Sequence, residues 1–179
     1  MVHFERKTIN SSKNKLLTKK TNKMGLFARK RKSENIIFDL LNIDIKSFDT
    51  EDYEFIGIEE NSENTEFKRY RKKLKSLELG LFNVMDAFIY SENEASYFFY
   101  CNSKDANFKK LKKLINKFYK AFGTDALSNG EFSDSEITAI LNGKYWTGRM
   151  WTKAKPEIMF TLIKDGIIEL GILGVEINK

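Results

Sequence analysis

The sequence predicts an α+β fold: an antiparallel sheet of about five or six strands, with a long amphipathic helix over about residues 104–122 and a short helix over about 134–141 packed on it. Three observations carry this. Apolar residues recur every three or four positions through 104–122, which puts them on one helical face. Two aromatic-rich runs, 82–90 and 95–101, are joined by the polar "SENE". Two β-branched runs near the C-terminus flank Asp165-Gly166, a pair suited to a two-residue hairpin turn with positive φ at both positions.

Taken in order, "NIIFDLLNIDI" (35–45) reads as a strand, with a short helix as the alternative. Residues 49–52 are polar and acidic, a loop. "YEFIGI" (53–58) alternates like a second strand, and "EENSENTE" (59–66) has the composition of a surface loop. Residues 66–78 carry both signals: Phe67, Tyr70, Leu74 and Leu77 sit near helical spacing, whereas Leu77, Leu79 and Leu81 alternate. Strand is preferred. The 82–90 and 95–101 runs form a hairpin with a four-residue loop.

In 104–122, Phe108, Leu111, Leu114, Ile115, Phe118, Tyr119 and Phe122 share one face and lysines fill the other. Ser103 is the expected N-cap and Gly123 the stop. Ile137, Ile140 and Leu141 mark the second helix. "YWTGRMWT" is read as a strand with Tyr145, Thr147, Arg149 and Trp151 on one face and Trp146 and Met150 on the other. Pro156 marks a strand start or an edge. In "EIMFTLIKDGIIELGILGVEI", Ile158, Phe160 and Leu162 alternate with Met159, Thr161 and Ile163, and because both sets are largely apolar a central, two-sided location is expected.

Charge divides the chain. Residues 1–35 hold eleven Lys and Arg against Glu5 and Glu34, a net of +9, whereas residues 36–179 net −3. We therefore expect a basic, flexible tail (1–34) ahead of a single domain (35–179), since so few apolar residues cannot offset the entropy of ordering the tail. Within it Arg29, Lys30, Arg31 and Lys32 could dock on RNA, DNA or acidic lipid by charge, or remain solvated. No apolar stretch approaches the roughly 20 residues of a bilayer span, so a soluble chain is expected. A single cysteine, Cys101, allows no internal disulfide, in keeping with a reducing cytoplasm.

Several chemistries are excluded. The one histidine, His3, lies in the tail, so no Ser-His-Asp or Cys-His arrangement and no histidine-ligated zinc can form in the body. No Rossmann or P-loop glycine pattern is present. Cys101 reads as a small buried hydrophobe. Carboxylate acid–base chemistry needs only two acids of differing pKa and stays open.

Three stretches could carry a site. "DALSNGEFSDSE" (125–136) resembles the calcium loop of the EF-hand family, with Asp125 first, Gly130 sixth and Glu136 twelfth. That resemblance implies calcium on Asp125, Asn129, the Glu131 carbonyl, Ser133 or its water, and Glu136. Leu127, at the third position, offers no side-chain oxygen. The preferred reading is a turn followed by a capping box of Ser133 and Glu136. Calcium is the only cofactor raised. Trp146, Arg149 and Trp151 could line a pocket for flat or anionic groups, or serve as core tryptophans beside a surface arginine. Lys109, Lys110, Lys113 and Lys117 could join Arg69, Arg71, Lys72, Lys73 and Lys75 in a basic patch, or form a solvated face.

The first expectation is a non-catalytic protein that binds another protein, as small inhibitors and immunity proteins do. A nucleic-acid-associated protein using the tail and the lysine-rich helix is the alternative, and a carboxylate-based enzyme the third.

Overall fold

A computed structural model describes residues 44–74 and 81–177, which form one seven-stranded antiparallel sheet and two α-helices. The strands are β1 (Glu54–Glu60), β2 (Glu66–Lys73), β3 (Val84–Ser91), β4 (Glu94–Asn102), β5 (Arg149–Trp151), β6 (Glu157–Ile163) and β7 (Ile167–Glu176). They lie in the order β1-β2-β3-β4-β7-β6-β5. The helices α1 (Phe108–Phe122) and α2 (Asp134–Leu141) connect β4 to β5. This is the α+β architecture expected, with a somewhat wider sheet. No helix among the described residues is long and apolar enough to cross a membrane. The tail (1–34) and residues 35–43 of the strand expected over 35–45 lie outside the described residues, and Asp44 and Ile45 are not in a strand.

α1 packs on one sheet face. Leu111, Leu114, Ile115 and Phe118 are fully buried against Met85, Phe99, Phe160 and Leu170 in a single core. Phe118 meets Phe160 edge-on at 5.5 Å between centroids and lies 5.5 Å from Trp151. On the opposite face, alternation places Asp86, Phe88, Phe98, Tyr100, Met159 and Glu169.

Several local expectations are corrected. β1 runs on to Glu60 because Glu59 and Glu60 pair with Phe67 and Glu66. The loop at 49–52 contains a one-turn 3-10 helix, Thr50–Asp52, capped by the Asp49 side chain. Residues 66–73 are strand, bonded to β1 and β3 on either side, while 75–78 lie outside the described residues. In the β3–β4 hairpin Ser91 pairs with Glu94, so the connection is Glu92-Asn93 rather than four residues.

α1 starts four residues later than expected. Asn107, not Ser103, is its N-cap and accepts from the Lys110 amide at 3.0 Å. The Ser103 amide is taken instead by the Gly166 carbonyl across the sheet, at 2.8 Å. The β6–β7 turn spans three residues, since Ile163 pairs with Ile167, and Gly166 alone has positive φ. That matches a three-residue hairpin loop whose last position is left-handed.

The 145–152 stretch is strand only at Arg149–Trp151. Gly148 interrupts it: φ is +69°, and an added Cβ would sit 2.0 Å from the Phe160 carbonyl oxygen. With alternation broken there, Trp146 is buried on the same side as Arg149 rather than facing away, and Tyr145 is solvent-exposed.

Candidate functional site

The surface best equipped to meet a partner is the β1 margin of the sheet. Residues 47–67 contain eight Asp and Glu and no Lys or Arg, whereas the adjoining β2 carries Lys68, Arg69, Arg71, Lys72 and Lys73. Asp52 is paired with Lys72 and Glu59 with Arg69. Glu54, Glu60, Glu63 and Glu66 remain solvent-exposed. β1 has β2 as its one neighbour in the sheet, so among the described residues its outer row of backbone groups faces no strand. Along it Phe55, Ile56 and Ile58 are 54%, 40% and 62% exposed. Scattered surface hydrophobes are ordinary, but three in four residues on an edge strand are not.

A groove of about 460 Å³ opens beside this strand, lined among others by Phe48, Ile58, Phe67, Tyr70, Ile89 and Ile177. Two of its lining rings, Phe48 and Tyr70, meet edge-on at 5.3 Å, and each contacts a further aromatic: Phe48 lies 4.8 Å from Tyr53, and Tyr70 is 5.3 Å from Phe55. Glu66 and Glu92 stand at its rim with Lys68. The result is an apolar trough beside a row of backbone donors and acceptors, set in negative charge.

An ion cluster on the face opposite α1 holds β1 in place. Asp86, with no exposed surface, accepts from Arg69 Nε and Nη2 at 3.1 and 2.7 Å and from Arg71 Nε and Nη2 at 2.7 and 2.8 Å. Arg69 Nη1 reaches across to Glu59 Oε1 at 3.0 Å, and its guanidinium lies 5.4 Å from the Phe88 ring centre. Burial alone would raise the Asp86 pKa; the two guanidiniums outweigh it and hold the carboxyl below its usual range. Glu169, on the same face, is pushed the other way by burial, partly offset by its hydrogen bond with Tyr100. Two acids with opposed shifts are what carboxylate chemistry would use. Asp86, however, has both oxygens occupied by guanidinium donors and is closed to solvent.

The residues singled out as a pocket are brought together, but inside the protein. Arg149 and Trp151 are buried, as is Trp146. Arg149 Nη1 and Nη2 meet Glu136 Oε1 and Oε2 at 2.8 and 3.1 Å, and its Nε donates to the Gly130 carbonyl at 3.0 Å. Trp146 Nε1 donates to Glu136 Oε1 at 2.9 Å, and Trp151 Nε1 to the Gly123 carbonyl at 2.9 Å. The cluster ties the 123–133 loop and α2 to the sheet.

The twelve-residue loop spends its oxygens on itself. Asp125 Oδ1 accepts from the Leu127 amide at 2.9 Å; Oδ2 accepts from the Asn129 amide at 3.2 Å and from the Tyr119 hydroxyl. The Asn129 side-chain amide donates to the Gly148 carbonyl at 3.0 Å, and Glu131 is exposed. Ser133 and Glu136 form the capping box, with the Ser133 amide donating to Glu136 Oε2 at 2.9 Å. Among the described residues no group of three or more His, Cys, Asp or Glu side chains could hold a metal ion. Cys101 is buried, and desolvation pushes its thiol up to about 12.

The basic residues fall apart into separate sets. Lys109, Lys113 and Lys117 are exposed on α1 and Lys110 is half-buried there. Arg69 and Arg71 lie on the other face of the sheet, occupied by Asp86. Lys72 pairs with Asp52. Arg29 to Lys32 lie outside the described residues, as does Lys75. The β1 margin was missed in the sequence, although two signals for it were present: a run of eight acids without a base, and "FIGI" with apolar side chains on consecutive positions.

Comparison with protein-family models, with curated proteins and with solved structures returned no match.

Proposed function

We propose that the chain is a protein-binding module, of the inhibitor or immunity type in its mode of action, that recognises an extended basic segment of its partner on β1. The observation that carries this reading is the exposure of Phe55, Ile56 and Ile58 on a seven-residue edge strand whose outer side faces no strand among the described residues. A partner strand would gain backbone hydrogen bonds along β1 and place alternate side chains in the groove. Covering the exposed parts of three such side chains contributes about 1–2 kcal/mol each. The surrounding carboxylates select for Lys and Arg on the partner and speed its approach.

Self-association is disfavoured by the same charges. Antiparallel pairing of two copies about Gly57 would set Glu54 against Glu60 at both ends, and like charges directly opposite are destabilising. The test is site-specific photo-crosslinking from position 58 in native lysate, with position 145 as an exposed control. The expected result is an adduct from position 58 alone, whose partner peptide is basic and non-helical, lost in Phe55→Ser. No adduct, or an acidic partner peptide, sinks the proposal.

A further inference from the structure

The solvent face of α1 raises a separate question. Its fifteen residues include six lysines and no acid. Packing on the sheet leaves Lys109, Lys113, Lys117 and Lys120 exposed. Spaced by four, four and three, they stand on a single ridge, rising about 6 Å per four residues. No ion pair involves any of the six lysines among the described residues.

This arrangement costs stability. Each like-charge pair at three or four residues destabilises a helix. Lys109 and Lys110 also sit in the first turn, where the helix dipole favours acids and where none is present. Alternating Glu and Lys would solvate the face equally well and stabilise it. A local rule broken without compensation marks a candidate functional surface.

We infer that the α1 ridge binds the phosphate backbone of a nucleic-acid duplex, independently of base sequence and independently of the β1 surface. Lysine supplies point charges suited to phosphate, and four in line match a polymer carrying a charge every 1.7 Å or so of its axis. Single strands are a poorer fit, because they are gripped by stacking on exposed aromatics. The α1 aromatics face inward: Phe118 stacks on Phe122 and packs on Trp151, and Tyr119 meets Trp151 edge-on at 5.3 Å. Insertion into a membrane is also a poor fit, since the apolar face a surface helix would bury in lipid is already consumed by the core.

The experiment is a fluorescence-anisotropy titration of the full chain with a short mixed-sequence duplex across a salt series. The variant K109Q/K113Q/K117Q/K120Q is compared with the charge-matched K144Q/K153Q/K155Q/K164Q, all of whose positions are exposed. Thermal melting checks that both are folded. Counterion release predicts that the ridge variant lowers the salt slope by about 3 to 4 and weakens low-salt binding at least about tenfold, while the control changes it about twofold or less. Equal losses in both variants, or none in the ridge variant, overturn the inference. So does tighter binding to single strands than to duplex. It fails equally if the ridge-specific loss appears on phosphatidylserine vesicles and not on duplex, or if polyglutamate competes as well as duplex at equal charge.

Discussion

Arg149 and Glu136 form a two-point ion pair, Nη1–Oε1 2.8 Å and Nη2–Oε2 3.1 Å, with the guanidinium wholly buried and the carboxylate 22% exposed. The same Glu136 closes the capping box of α2 and accepts from the Trp146 indole. One carboxylate thus serves as helix cap, counter-ion and anchor. Removing it strands a buried cation, which is costlier than losing a surface pair. Glu136→Ala should cost about 3 kcal/mol and lower the melting temperature by about 6–12 °C. Urea denaturation gives the energy directly, and a loss no larger than that of an exposed glutamate such as Glu131 would refute the assignment.

The carboxylates make opposite contributions to stability against pH. Asp86 and Glu136 have lowered pKa values: burial opposes this, but their arginine partners prevail. Their contribution is full above the unfolded-state value of about 4 and is lost as pH falls through the folded-state value. Glu169 is raised by burial, so its contribution is present below its unfolded-state value and is lost as pH rises through the folded one. Glu169→Gln should therefore raise the melting temperature at pH about 7, with the gain vanishing below pH about 4. Asp86→Asn should lower it at neutral pH and flatten the acid limb. Melting curves from acid to neutral pH check both signs.

Gly148 and Gly143 separate two effects of replacing a left-handed glycine. Both have positive φ, +69° and +66°, but an added Cβ meets the Phe160 carbonyl oxygen at 2.0 Å in the first case and nothing within 4 Å in the second. Gly143→Ala should cost about 1 kcal/mol from backbone conformation alone. Gly148→Ala must also move β5 from β6, and the expected cost exceeds about 3 kcal/mol. Equal stabilities of the two variants would contradict the packing described.

Calcium at millimolar concentration should change neither the melting temperature nor the tryptophan fluorescence. Both Asp125 oxygens already accept protein hydrogens, and Leu127 supplies no side-chain oxygen. Trp146 bonds to Glu136, the would-be twelfth ligand, so its emission reports directly on metal entry. A saturable shift would show that the loop reopens for the ion.

What was readable in the sequence was what neighbouring residues decide between themselves. The α1 face follows from a spacing of three and four, and the Ser133–Glu136 box from two residues three apart. Ser103 and Asn107 were both chemically fit to cap α1. The choice fell to Asn107 because Ser103 is held at the sheet by its amide's bond to the Gly166 carbonyl, sixty-odd positions away in the β6–β7 turn. The Trp146 face was misread because alternation was carried through Gly148, whose conformation answers to Phe160. The β1 margin escaped notice for another reason: net charge averaged over the body cancels eight acids at one margin against the lysines of α1.

The two borders of the sheet are unequal. Among the described residues β5 offers three residues and β1 offers seven whose outer side faces no strand. Growth by annealing one more ribbon can therefore proceed from a single side, and a newcomer there blocks the position to any rival. Complexes built this way stop at one guest per molecule instead of running on into fibres, so a titration should saturate at equimolar ratio.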